Sequence, residues 1–215
     1  MTVVVIGTGN IGSRVARRLA DGGVDVVVAA SNIAGAQSAA ASVGHGARAA
    51  DVADAIGSAD TIVFATWFAT TKQLLSQHAA QLSGKIVVDP SNNIALDDSG
   101  GAVSQNPEGV SAGQLLATAV PAEARYVKAF GSLTAELLDS TATESGDTPV
   151  LFYATDDDAA GRAVAELITT AGFEPVKVGG VDASSRIEVF GDPHPLGGLN
   201  GRTLSRDEAL QLLDK

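Results

Sequence analysis

Cysteine does not occur among the 215 residues of this chain. Its absence excludes thiolate metal sites, disulfide frameworks and cysteine nucleophiles, and it fits a reducing compartment. Long apolar runs are also missing, because none approaches the roughly 18 residues of a membrane-spanning helix. No basic segment precedes the apolar run at residues 2–6, so we expect neither a signal peptide nor a membrane span. The cytoplasm is the expected compartment.

Positive charge is scarce in this sequence. The chain has 14 lysines and arginines against 25 aspartates and glutamates, which gives a formal net charge of -11. An acidic surface repels nucleic acid and anionic lipid, so we expect neither as a partner. The three histidines are scattered and no metal-ligand cluster stands out, so no metal is expected. An anionic ligand would have to be bound by local donors, such as backbone N–H groups and a few cationic side chains.

Short valine- and isoleucine-rich runs alternate with helical patterns through the first half of the chain. The pattern predicts strands at residues 3–6, 24–28, 60–64 and 85–89, with a weak one at 47–50. It predicts helices after the first strand, where Val15 and Leu19 have helical spacing, and at 34–43, 51–57 and 68–82, with Asp51 as the N-cap of the helix at 51–57. Near-continuous apolar strands separated by helices indicate an α/β fold, doubly wound, with a mostly parallel sheet covered on both faces.

A second unit follows a polar stretch at 97–113, which is predicted to be a surface loop. Strands are expected at 126–130, 149–154 and 173–178, with helices at 133–138 and 156–171. We therefore divide the chain into a core at 1–125 and a small C-terminal α/β portion at 126–215 that packs on the same sheet.

A glycine-rich turn, Gly7-Thr8-Gly9-Asn10-Ile11-Gly12, directly follows the first strand and opens a helix. This is the context that the GxGxxG motif requires. Gly7 permits the tight turn, Gly9 lets the backbone approach a pyrophosphate, and Gly12 lets the helix lie close to the strand. The phosphates would meet the N–H groups and positive dipole of the helix. The motif predicts a dinucleotide-binding Rossmann core; the alternative is a structural turn without a ligand.

The residues after the second strand bear on which dinucleotide binds. An acidic residue there would favour NAD, but the chain has Ala30, Ser31 and Asn32. The 2′-phosphate of NADP therefore meets no repulsion, and Ser31 and Asn32 can donate hydrogen bonds to it. The same two residues can instead cap the second helix, and the two roles are compatible. NADP is the predicted cofactor.

The ligand of a doubly wound sheet lies across the carboxyl ends of its strands. Thr66, Trp67 and Phe68 follow the fourth strand, and residues 90–93, with Asn92 among them, follow the fifth. Trp67 is either a core residue or a cofactor wall. His45 and His78 are expected to face solvent, and His194, between two prolines, is expected in a rigid surface turn rather than in the site. No catalytic acid or base stands out, which suits hydride transfer between two rings held face to face.

Several segments together resemble the NADPH-dependent reductases of the deazaflavin coenzyme F-420, and the resemblance covers roughly residues 1–188. They are residues 3–12, 85–92 and 127–131, together with the acidic start of a helix at 156–158 and the segment 171–175. The resemblance implies hydride exchange between NADP and a deazaflavin ring, in a homodimer.

The resemblance also implies roles for individual residues. Thr8, Gly9, Asn10 and Ile11 would hold the pyrophosphate, and the nicotinamide would lie near the end of strand four and near Ala129. A Ser-Arg-Arg group that grips the 2′-phosphate in the family maps to residues 30–32, where both arginines are missing. A histidine often found after the alanine is a phenylalanine here, at position 130. The tail, 186–215, departs from the family's apolar helix.

Three functions remain open at this point. The first is a reductase that passes hydride from NADPH to a deazaflavin or another flat small-molecule ring. The second is a non-catalytic NADP sensor or regulatory protein, which would have no room for a ring acceptor. The third is a dehydrogenase of a small hydroxy or amino acid, for which only Lys128 offers a proton relay.

Overall fold

The computed structural model describes residues 1–98 and 100–214, and its main feature is an eight-stranded sheet. The strands are β1 Thr2–Ile6, β2 Asp25–Ala29, β3 Arg48–Ala49, β4 Thr61–Phe64, β5 Ile86–Asp89, β6 Ile94–Leu96, β7 Ala102–Ser104, β8 Arg125–Ala129, β9 Val150–Ala154 and β10 Glu174–Gly179. The order across the sheet is β10-β9-β8-β5-β4-β1-β2-β3, and β6 pairs with β7 separately. All neighbours in the large sheet are parallel except β8 and β9. The predicted α/β, mostly parallel sheet is confirmed.

Helices cover both faces of this sheet. The apolar residues of each strand alternate between the two faces, so both faces need cover from water. The helices are α1 Asn10–Asp21, α2 Ile33–Val43, α3 Val52–Gly57, α4 Phe68–Gln77, α5 Ala112–Ala117, α6 Asp158–Thr170 and α7 Arg206–Leu213. In β1, Val3 and Val5 pack in the core beneath α1 and α6. Val4 and Ile6 pack on the other face, in the core that α3, α4 and α5 cover. The fold is therefore doubly wound.

The strands of the C-terminal portion extend the same sheet. β8 pairs in parallel with β5, β9 is antiparallel to β8, and β10 is parallel to β9. A third apolar cluster joins β9 and β10 to α7 and the turn-rich segment before it. The boundary between residues 125 and 126 stays a prediction.

Four local expectations were wrong or incomplete. The polar stretch 97–113 is not one loop, since β7, which pairs with β6, lies within it and α5 begins at Ala112. The helix expected at 68–82 ends at Gln77 and is followed by a 3-10 turn at Ala79–Leu82. Residues 133–138 form no α-helix and lead into a 3-10 turn at Leu137–Asp139. Asp51 is at the N-cap of α3 but makes no side-chain cap bond.

Among the described residues, no helix is both long and apolar enough to cross a membrane.

Candidate active site

A cavity of about 800 Å³ lies where the parallel strands end, within the size range of small-molecule sites. Its glycine-turn side, formed after β1, β2 and β4, consists of Gly7, Thr8, Gly9, Asn10, Ile11, Ala30, Ser31, Ala65, Thr66, Trp67 and Thr70. Its tail side, formed after β5 and β8 and by the C-terminal segment, consists of Pro90, Ser91, Asn92, Ile94, Gly131, Leu133, Thr134, Ala135, Val189, His194 and Leu196.

The three glycines of the turn have three different surroundings. Gly7 has a φ of 105°, and a Cβ there would lie 2.2 Å from the carbonyl oxygen of Ala65. A Cβ on Gly12 would lie 2.0 Å from the carbonyl oxygen of Gly7, so α1 packs directly against the turn. A Cβ on Gly9 would meet nothing within 4 Å, and Gly9 lines the cavity. These are the surroundings that a tight turn, close packing and ligand approach require.

The N-terminus of α1 offers its backbone N–H groups to the cavity. Its N-cap residue is Gly9, which has no side chain to accept from them, and its first turn carries no acidic residue. By contrast, α2, α5, α6 and α7 each have an N-cap side chain that accepts a backbone hydrogen bond. An uncapped helix N-terminus beside an open glycine fits a diphosphate, because N–H donors and the helix dipole both favour an anion.

Ser31 and Asn32 separate in the structure. Ser31 is exposed and lines the cavity, whereas Asn32 does not line it. The Asn32 Oδ1 accepts a hydrogen bond of 2.8 Å from the Gly35 N–H and caps α2, so the capping role is confirmed for Asn32. Two of the three arginines of α1 bond elsewhere: Arg14 Nε donates to Asp139 Oδ2 at 2.8 Å, and Arg18 Nε donates to the Leu138 carbonyl at 2.8 Å.

The residues after β4 and β8 are only partly at the cavity. Thr66 lines it and its Oγ1 lies 2.8 Å from that of the buried Thr71. Trp67 is 66% exposed at the rim, so it is a wall residue and not a core residue. Phe68 opens α4 and does not line the cavity. Ala129 is buried in the core, and the cavity residue at the end of β8 is Gly131 instead.

Asn92 connects three segments of the cavity wall. Its Nδ2 donates to the Gly131 carbonyl at 3.3 Å, and its Oδ1 accepts from the Val189 N–H at 2.8 Å. All three residues line the cavity. Asn92 was expected at the ligand, and the structure shows that it also joins the turn after β5 to the C-terminal segment.

A buried charged cluster lies behind this wall. Lys128 Nζ donates to Asp89 Oδ2 at 2.9 Å and lies 3.9 Å from Glu188 Oε1. Tyr126 Oη donates to Asp89 Oδ2 at 2.7 Å, and burial, followed by the charge of Asp89, raises the pKa of this phenol well above its usual value. Lys128 is 1% exposed and does not line the cavity. Its Nζ also donates to the carbonyl oxygen of Ser91, which does line the cavity, so the ammonium group lies one residue behind the wall.

His194 is the cavity residue that sequence reasoning misplaced. It is 2% exposed and not in a surface turn, because the segment around it folds back over the cavity. Its Nδ1 accepts from the Leu196 N–H at 3.0 Å, and its ring also bonds the Gly131 backbone. Burial lowers the His194 pKa to about 4, although the Gly131 bond opposes the decrease. His45 is exposed, with its Nε2 2.9 Å from Asp21 Oδ1, and His78 is partly exposed.

The cavity wall carries no charge at neutral pH. Among the described residues that line it there is no Asp, Glu, Lys or Arg, and His194 is neutral. The described residues also contain no group of histidine and carboxylate side chains that could hold a metal ion. The site can thus position ligands by shape, backbone dipoles and neutral hydrogen bonds.

Residues 2–93 match the family model described as NADP oxidoreductase, coenzyme F420-dependent. No curated protein matches the sequence. Among solved structures, the hypothetical protein SMa0349 from Sinorhizobium meliloti is 30% identical, with 96% of each chain covered and a TM-score of 0.80.

Two further structures place this similarity in context. A protein from Arthrobacter sp. FB24, provisionally assigned as an F420-dependent NADP reductase, is 26% identical over 85% of this chain and 86% of its own, with a TM-score of 0.72. A reductive aminase from Aspergillus terreus, solved with NADPH and ethyl-5-oxohexanoate, is 19% identical over 85% of this chain and 56% of its own, with a TM-score of 0.61, and shares the fold. This chain belongs to the family of coenzyme F420-dependent NADP oxidoreductases.

Proposed function

We propose that this protein transfers a hydride between NADP(H) and a deazaflavin or a related flat ring acceptor. The observation that carries the proposal is one continuous cavity that begins at the glycine turn and extends past it to the C-terminal segment. The glycine-turn side offers N–H donors to a dinucleotide, and the tail side would contact the acceptor. A nucleotide sensor would need no wall beyond the dinucleotide, so the tail side favours the enzyme.

The glycine turn would hold the diphosphate of the cofactor. Gly9 leaves the space, and the uncapped N–H groups of Asn10 and Ile11 at the start of α1 supply the donors. Ser31 is the cavity residue after β2 that can donate to a 2′-phosphate. When bound, the nicotinamide supplies or accepts the hydride.

The walls after β4, β5 and β8 would orient the two rings. Thr66 and Trp67 lie on the glycine-turn side, and Asn92 and Gly131 on the tail side. The hydride passes directly from one ring to the other and the reduced acceptor takes up one proton from water, so positioning is the work that these residues do. The third function, a dehydrogenase that uses Lys128, is disfavoured because the ammonium group is buried and paired with Asp89.

Steady-state NADPH oxidation by the purified protein tests the proposal. A 5-deazaflavin, riboflavin and a solution without acceptor are compared, with NADPH binding measured in parallel. We expect turnover with at least one ring acceptor and none without. Binding of NADPH with no turnover on any ring acceptor would reject the enzyme and leave the sensor.

A further inference from the structure

The buried charged cluster behind the cavity wall contains two carboxylates and one ammonium group. Asp89, Lys128 and Glu188 are all buried. Lys128 Nζ lies 2.9 Å from Asp89 Oδ2 and 3.9 Å from Glu188 Oε1, so the lysine pairs with Asp89 and offsets Glu188 only in part. Tyr126 adds no charge, because burial and then the charge of Asp89 raise the pKa of its phenol well above its usual value. The cluster therefore holds one negative charge in excess.

The excess charge is stabilised by neutral donors around Glu188. Its carboxylate accepts hydrogen bonds from the N–H groups of Ala112 at 2.9 Å and Gly113 at 2.7 Å, and from Asn106 Nδ2 at 3.3 Å. Such bonds favour the ionised form of a carboxylate and compensate it for lost water. The partial positive charge at the start of α5 cancels only part of a full unit. A buried carboxylate charge thus persists without a cation of its own.

Both carboxylates lie directly behind the cavity wall. Asp89 precedes Pro90 in the chain and accepts from the Ser91 N–H at 2.7 Å. Glu188 precedes Val189. Pro90, Ser91 and Val189 all line the cavity. The described residues that line it include no Asp, Glu, Lys or Arg, so no opposite charge on the wall cancels the field of the cluster. Salt also screens buried charges much less than exposed ones.

The two forms of nicotinamide differ in charge, since the oxidised ring carries one positive charge and the reduced ring carries none. A fixed negative charge nearby stabilises the first form relative to the second. We propose that the buried charged cluster, through the excess charge of Glu188, favours bound NADP⁺ over bound NADPH and so makes the bound dinucleotide a stronger hydride donor. This inference rests on the proposed function for the dinucleotide and for the direction of its nicotinamide towards the tail side.

A charge-neutralising variant and a matched surface variant test the inference. Glu188→Gln removes the excess charge and keeps an oxygen for the N–H groups of α5. Glu123→Gln removes the same charge from an exposed residue that precedes β8, at the end of that strand away from the cavity. Titration calorimetry measures Kd for NADP⁺ and for NADPH in each protein. We expect Glu188→Gln to lower the ratio of the NADPH Kd to the NADP⁺ Kd about three- to tenfold, and Glu123→Gln to leave it unchanged.

A ligand without the nicotinamide separates an electrostatic effect from a structural one. 2′-Phospho-ADP-ribose, which is NADP without that ring, should bind wild-type protein and Glu188→Gln equally. Asp89→Asn makes the same change in charge on the other side of Lys128 and should shift the ratio in the same direction, which keeps the test open if Glu188→Gln does not fold. An equal loss of affinity for all three ligands, or the same ratio in Glu188→Gln and Glu123→Gln, would overturn the inference.

These binding measurements need no turnover, so the two proposals can fail separately. A lowered ratio in a protein that reduces no ring acceptor supports the charge effect and rejects only the hydride transfer. An unchanged ratio in an active enzyme overturns the charge effect and leaves the proposed function. Binding of neither dinucleotide contradicts both.

Discussion

A Cβ on Gly12 would lie 2.0 Å from the carbonyl oxygen of Gly7, whereas one on Gly9 would contact nothing within 4 Å. Gly12 thus allows α1 to pack against the turn, whereas Gly9 leaves open space for a ligand. Gly12→Ala should lower the free energy of unfolding by about 2–3 kcal/mol, because α1 must move from the turn. Gly9 has a φ of -77°, which alanine adopts, so Gly9→Ala should leave stability within about 0.5 kcal/mol and weaken NADP⁺ binding at least about tenfold.

Urea unfolding and titration calorimetry on the same two variants measure both effects. Wild-type NADP⁺ affinity in Gly9→Ala would mean that the open space at Gly9 is not where the diphosphate binds. Wild-type stability in Gly12→Ala would contradict the close packing of α1.

Ser31 is the residue that should recognise the 2′-phosphate. Ser31→Ala should weaken NADP⁺ binding about three- to tenfold, the value of one hydrogen bond, and leave NAD⁺ binding unchanged. Ser31→Arg should tighten NADP⁺ binding about tenfold, because a guanidinium group would supply the charge that this loop lacks. Calorimetry with both dinucleotides measures this, with the exposed Ser76→Ala on α4 as control. Equal effects of Ser31→Ala on both dinucleotides would refute the role.

The parts of the fold that sequence predicted are those with local causes. Valine-rich runs such as residues 26–28 predict buried parallel strands, and the glycine turn predicts the nucleotide side of the cavity. The misses depend on distant residues. The start of α5 is held by the carboxylate of Glu188, which lies 76 residues from Ala112 along the chain. His194 is buried because the C-terminal segment folds over the cavity. The residues around His194 do not predict this long-range contact.

Ala129 and Phe68 show a second limit of sequence reasoning. A strand end can be predicted to within a residue or two, but which side chain faces the ligand depends on the exact turn. Phe130 has a φ of 63°, so the chain turns sharply after Ala129 and brings Gly131, not Ala129, to the cavity. Ala129, which the resemblance placed beside the nicotinamide, is therefore close to the cavity but does not line it.

The buried pair of Lys128 and Asp89 should matter for stability. Lys128→Met leaves the carboxylates of Asp89 and Glu188 buried without a cation, which should cost about 3–5 kcal/mol of unfolding free energy. The double variant Lys128→Met with Asp89→Asn should be less destabilised than the single one. Denaturant unfolding measures both, with the exposed Lys72→Met as control. A stable Lys128→Met protein with abolished turnover would instead indicate a catalytic lysine.

His194 should make stability depend on pH. Its pKa is about 4 in the folded protein and about 6.5 when unfolded, so the unfolded state binds more protons between these values. Stability conferred by the neutral ring is therefore complete above about pH 6.5 and is lost as the pH falls towards 4. We expect a loss of about 2 kcal/mol between about pH 7.5 and about pH 5.

Unfolding by urea at the two pH values checks this, with His194→Gln and His78→Gln compared. His194→Gln should lose most of the dependence and His78→Gln should keep it. The lowered pKa values of Asp25 and Glu208 affect stability only at lower pH. An unchanged pH dependence in His194→Gln would refute the assignment.

Every residue role proposed for the cavity requires that the glycine turn and the N-terminus of α1 hold the diphosphate of NADP(H). A crystal structure of the protein with NADP⁺ shows whether they do. We expect the diphosphate against Gly9 and the N–H groups of Asn10 and Ile11, with the nicotinamide directed towards the tail side of the cavity. A dinucleotide bound elsewhere, or a glycine turn left empty at saturating NADP⁺, would contradict the account.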